Sequence, residues 1–150
     1  METKITSWGR FCGKLLKWFG WTVDSAPTPD DKAIILAAPH TSLLDFPVCY
    51  LFYKSIGETP HAMVKKELFF WPMGTLLRKM GAIPLDRSNA TASMKRVIDE
   101  VRNAEGRFHL SIAPEGTRKP VKKWKTGYHT IAKSTGAGVY LTFIDFGRKR

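Results

Sequence analysis

Two rhythms of apolar residues run along the chain. Residues 33–38 (Ala-Ile-Ile-Leu-Ala-Ala) form a short unbroken apolar run, the pattern of a strand buried on both faces. Shorter runs at 61–64 and 82–85 also read as extended. So do 108–113, stopped by Pro114, and 139–146. Between them the period lengthens. Met94, Val97, Ile98 and Val101 recur at helical spacing within 91–104, and Gly106 can close that helix. Segments 42–55 and 126–134 are expected to be helical, with Ser42 as the N-cap of the first. Segment 66–80 is helical in pattern but carries Pro72, which predicts a break near Trp71. Alternating helices and strands predict an α/β fold: one domain, a mostly parallel sheet and flanking helices.

The N-terminus differs. On a helical wheel, Ile5, Trp8, Cys12, Leu15, Leu16 and Phe19 gather on one side, and Arg10, Lys14, Lys17 and Trp21 fall opposite. Residues 1–23 therefore read as an amphipathic helix suited to a membrane interface or to docking on the domain's own core. A turn-rich linker is expected over 24–31, and the α/β domain over 32–150. The chain stops soon after its last strand, so a further C-terminal segment is expected.

With 150 residues and 43% hydrophobic content, the chain can bury a core, which argues against disorder. Its net charge of +11 favours phosphate-bearing partners without choosing among them. Two cysteines, Cys12 and Cys49, have no metal-ligand spacing and read as reduced thiols in a cytoplasmic setting. No run reaches the roughly 18 apolar residues of a spanning helix.

Three segments carry candidate chemistry, each following an expected strand, where ligands of open α/β sheets bind. The first is Pro39-His40-Thr41-Ser42-Leu43-Leu44-Asp45. On a continuous helix His40 and Asp45 would lie about 140° apart, so they meet only if His40 sits in the preceding loop. Asp45 would then orient the imidazole. It equally reads as the acidic position of a capping box begun by Ser42. The second is Pro114-Glu115-Gly116-Thr117-Arg118, where glycine permits close backbone approach and arginine offers a forked phosphate donor. The third is Gly81 to Arg87, whose Asp86 can pair at the surface. Arg118, Lys119, Lys122, Lys123 and Lys125, with Trp124 among them, form a cluster for lipid or nucleic-acid phosphates or a solvated loop. His61, His109 and His129 have no carboxylate at useful spacing and read as structural.

The ordered set His-x-x-x-x-Asp, Gly-x-x-x-x-x-Arg and Glu-Gly-Thr-Arg resembles the 1-acylglycerol-3-phosphate (lysophosphatidic acid) acyltransferase family. Lys65-Lys66-Glu67-Leu68 and Lys125-x-Gly127 are also similar, so the likeness covers roughly 33–146. It implies His40 as general base and Asp45 as its orienting carboxylate. Arg87, Glu115, Gly116, Thr117 and Arg118, with Lys65, would form the acceptor glycerol-phosphate site. The family's fourth motif has a proline that Gly138-Val139-Tyr140-Leu141 lacks.

The implied reaction moves a fatty acyl group from acyl-coenzyme A or acyl carrier protein to a lysophospholipid hydroxyl. It needs no metal or organic cofactor. Implied partners are those two substrates and an anionic membrane surface, with the protein peripheral or monotopic on the cytoplasmic face. No nucleic-acid partner is expected. Residues 68–73 would line an acyl tunnel or belong to the core. The alternatives are an acyltransferase for another lysolipid or an amino-acid lipid, an inactive relative, and a non-catalytic basic module binding membranes or nucleic acid. The last predicts a steep salt dependence and no need for His40.

Overall fold

The computed structural model describes residues 4–23 and 28–150; residues 24–27 of the expected linker lie outside them. Five strands form one sheet: β1 Lys32–Ala37, β2 Pro60–Lys65, β3 Ala82–Leu85, β4 Phe108–Ile112 and β5 Gly138–Thr142. Their order is β3-β2-β4-β1-β5, and each pairing is parallel. The helices are α1 Ser7–Trp18, α2 Asp45–Ser55, α3 Met73–Lys79, α4 Ala90–Asn103 and α5 Gly127–Thr135.

The path of the chain explains the layers. After β1 it moves outward to β2 and β3, then returns to insert β4 between β2 and β1, and finally adds β5 beyond β1. Right-handed crossovers running in opposite directions place their helices on opposite faces. The main core lies on the α4 and α5 face. Ile34 and Leu110, cross-strand partners, pack there against Val97, Val101 and Ile131, all fully buried. On the other face α2 sets Tyr53 edge-on to His109 and Cys49 beside Ser111. Both faces are covered, so strand sequences read as apolar runs without clean alternation.

Helix α1 packs on α2. Thr6 caps it, its hydroxyl accepting from Gly9 N at 3.1 Å. Gly9 faces the Lys54 carbonyl so closely that a Cβ would collide with it. Cys12 and Leu16 of the apolar side are buried, whereas Trp8 and Phe19 of that side are exposed, as are Phe11 and Trp18. The helix therefore docks through Gly9, Cys12 and Leu16 and turns its largest rings outward. No helix among the described residues is long and apolar enough to cross a membrane.

Three boundaries differ from expectation. Helix α2 begins at Asp45 rather than Ser42, because residues 38–44 form a loop and the Ser42 hydroxyl accepts from Leu44 N instead of capping a helix. Segment 66–80 is divided into a 3-10 turn, Lys66–Leu68, and α3, with Pro72 between. Strand β5 ends at Thr142 rather than 146, because its partner β1 ends at Ala37 and Thr142 O accepts the last bond, from Ala38 N.

Candidate active site

A parallel sheet brings every strand's carboxyl end to one edge. The loops leaving β3, β2, β4 and β1 therefore stand side by side there. They carry Arg87, Lys65, Glu115 to Arg118, and His40, in that order. Neighbours β1 and β4 send their next helices to opposite faces, which opens a crevice between their loops. His40 lies in that crevice.

Two contacts fix His40. Its Nδ1 is 2.6 Å from Asp45 Oδ2, and its backbone N–H donates to Glu115 Oε2 at 2.7 Å. Asp45, at the first turn of α2, is only 8% exposed. Its Oδ2 also accepts from Ser42 N at 3.4 Å, so the capping-box geometry and the histidine contact share one oxygen. An ionised Asp45 holds the imidazole proton on Nδ1 and leaves the Nε2 lone pair for a ligand. Glu115 ties the loop after β4 to the loop after β1 through that amide, a contact between residues 75 apart in sequence.

The arginines are placed differently. Arg87 Nη2 donates to Gly116 O at 2.6 Å, joining the third segment to the second. Its 3-10 turn is pinned by Asp86, whose Oδ1 accepts from Ser88 N and Oγ and whose Oδ2 accepts from Lys66 Nζ. The Ser88 bonds and Lys66 hold the Asp86 carboxyl well below the usual range. Arg118 is exposed and has no hydrogen-bond or ion-pair partner among the described residues. Gly116 adopts φ +65°, and a Cβ there would press on the Lys125 side chain laid across it. Thr117 Oγ1 accepts from Lys119 N at 3.3 Å.

His40, Asp45, Lys65, Arg87, Gly116, Thr117 and Arg118 all line one open cleft of about 2200 Å³. That exceeds the roughly 1,000 Å³ of a pocket for one small ligand. Glu115 does not line it; its carboxylate faces the His40 amide instead. Of the segment expected to form tunnel or core, Leu68, Phe70 and Met73 line the cleft, Phe69 tucks under Arg78, and Trp71 points away. Cys49, one turn beyond Asp45, has its thiol pushed up to about 11 by burial, which keeps it protonated and unsuited as a nucleophile. Among the described residues no His, Cys, Asp or Glu cluster of three or more is gathered for a metal ion.

One histidine does have a carboxylate. Buried His109 places Nδ1 3.4 Å from Glu58 Oε2, and Arg107 Nε is 2.9 Å from Glu58 Oε1. This cluster lies where β2 and β4 begin, at the end of the sheet away from His40. The separation of His109 and Glu58 in sequence gave no sign of it.

A sequence model of the family described as Acyltransferase matches residues 22–143. Among solved structures, the 1-acyl-sn-glycerophosphate (LPA) acyltransferase PlsC from Thermotoga maritima is similar, with 26% identity and a TM-score of 0.59. The likeness covers 88% of this chain and 54% of that one, so the chain spans about half the length of that structure. No curated protein is similar enough in sequence to count as a relative.

Proposed function

This chain belongs to the acyltransferase family, and from that premise we propose that it acylates the free hydroxyl of a lysophospholipid, 1-acylglycerol-3-phosphate before others, yielding phosphatidic acid. The His40–Asp45 contact of 2.6 Å, opening on a cleft that also holds Arg87 and Arg118, carries this reading. The Thermotoga enzyme's activity, named for a chain of similar fold, supports the choice of acceptor.

In this scheme the acceptor hydroxyl gives its proton to His40 Nε2 while its oxygen attacks the thioester carbonyl. The tetrahedral adduct collapses, the C–S bond breaks, and the departing thiolate takes the proton back from Nε2. Asp45 keeps the ring oriented and stabilises the transient imidazolium. Arg118, with Lys65 and Thr117 of the same cleft, receives the acceptor phosphate. Arg87 and Gly116 shape the same subsite. Apolar residues deeper in the cleft, including Ile35, Ala37 and Phe52, take acyl chains and exclude water. The donor is acyl-coenzyme A or acyl carrier protein. The outward aromatic side of α1 and its lysines hold residues 1–23 against the cytoplasmic face of an anionic membrane, with 24–31 linking them to the 32–150 domain.

The test offers purified protein lysophosphatidic acid with each donor in turn, beside His40→Ala. Phosphatidic acid from the wild type alone is the expected result. Equal product from both proteins would overturn His40 as the base. No product with any donor, from folded wild type, would overturn the acceptor.

A further inference from the structure

Trp71 is the most exposed large apolar side chain among the described residues, at 86%. It does not stand alone. Phe70 at 58% and Leu76 at 54% flank it, and Leu68 and Met73 are also exposed. Five such side chains are exposed within nine residues, unlike the singly scattered leucines of ordinary surfaces.

The patch is held out by structure. Gly74 N donates to Phe70 O at 2.6 Å, and Phe69 N donates to Lys66 O at 3.0 Å. Gly74 lies against the Phe69 carbonyl, where any Cβ would collide. Phe69 itself turns inward beneath the Arg78 guanidinium, 5.5 Å from its ring centre. A tight turn that demands glycine thus presents Trp71 at its tip.

The surroundings identify the occupant. Lys65, Lys66, Arg78 and Lys79 flank the segment in sequence, and Glu67 is the one acidic residue between positions 65 and 80. A tryptophan tip on a segment flanked by four basic residues matches an anionic lipid interface, where the ring sits at headgroup depth and basic side chains reach phosphates. Leu68, Phe70, Met73 and Leu76 also line the mouth of the cleft that holds His40, together with exposed Leu43. The patch is therefore continuous with the route a lipid substrate takes.

We infer that residues 68–76 insert into the surface of an anionic bilayer, with Trp71 as the anchor, and set the cleft mouth at the lipid headgroups. This rests on the lysophospholipid reading above. It is separate from α1, because 68–76 belongs to the α/β domain and adjoins the cleft. Lipid would enter the site without crossing water.

The experiment measures binding of the full chain to phosphatidylcholine vesicles with and without phosphatidylglycerol, by sedimentation. Trp71→Ala is expected to weaken partitioning by about tenfold or more, the scale of one buried aromatic side chain. Brominated lipid should quench the wild type more than Trp71→Phe, which keeps the apolar bulk but removes this fluorophore. The exposed position lets both variants fold, checked by circular dichroism. Unchanged partitioning in Trp71→Ala with no Trp71-dependent quenching would overturn the inference. So would concentration-dependent self-association lost in Trp71→Ala, since the patch would then serve a second copy. Sedimentation needs no turnover, which separates the two readings. Trp71-dependent binding without acylation would overturn the proposed reaction and leave the surface standing.

Discussion

His40 is positioned by its ring and by its backbone, and the two contacts predict different losses. Asp45→Asn removes the charged acceptor of Nδ1–H and disfavours the tautomer with a free Nε2. Turnover should fall on the order of 10²- to 10⁴-fold with the fold intact, measured as initial rate beside circular dichroism. The arginines separate likewise. Arg118 has no partner to lose among the described residues, so Arg118→Gln should raise the acceptor KM by about 10- to 100-fold and leave kcat nearly unchanged. Arg87→Gln should lower kcat as well, because it also frees Gly116 O. His61 predicts a pH effect. Its ring stacks on Phe108 at 3.8 Å with Nδ1 buried and unpartnered among the described residues, and burial lowers its pKa from 6.5. Above that value both folded and unfolded chains hold it neutral. As pH falls through 6.5 the unfolded chain takes a proton that the folded one resists, so stability declines. The thermal midpoint should drop more between about pH 7.5 and about pH 5 for the wild type than for His61→Phe. Residue chemistry was legible where it was local: His40 and Asp45 are five apart, and only loop geometry was needed to join them. Glu115 was legible as a site residue but not as the holder of the His40 amide. That contact depends on which strands become neighbours.

Elements were read well where period and punctuation agreed. In α4 the spacing of Val97 and Val101 named two fully buried residues, and Asn89 caps the helix by accepting from Ala92 N at 3.2 Å. Reading failed where an element depends on a partner. Strand β5 looked longer because Phe143 and Ile144 are apolar, yet β1 offers nothing for them to pair with beyond Ala37. For α1 the wheel found the large apolar residues, but the docking side was chosen by Gly9 and Cys12, since small residues let two helices approach closely. Gly9→Leu should therefore separate α1 from α2 at a cost of about 1–3 kcal/mol. Hydrogen exchange should accelerate in α1 while amides near His40 keep their protection.

At the scale of the molecule, alternation of helices and strands disclosed a parallel sheet but not its order. Nothing in the local pattern says that β4 enters between β2 and β1, and that insertion makes the crevice. The core on the α4 and α5 face is shared by helices and three strands, so Ile131→Ala should lower global stability by about 2–5 kcal/mol. Loss of activity and loss of the far-ultraviolet signal should coincide along the same denaturant titration. The insertion also has a consequence during synthesis. Strands β1 and β2 leave the ribosome early yet do not touch in the finished sheet, since the place between them belongs to β4. A nascent chain that has not reached residue 112 cannot close its sheet, and Glu115 is not yet present to clasp His40. The site proposed around His40 is therefore completed only after the loop that follows β4 has been made.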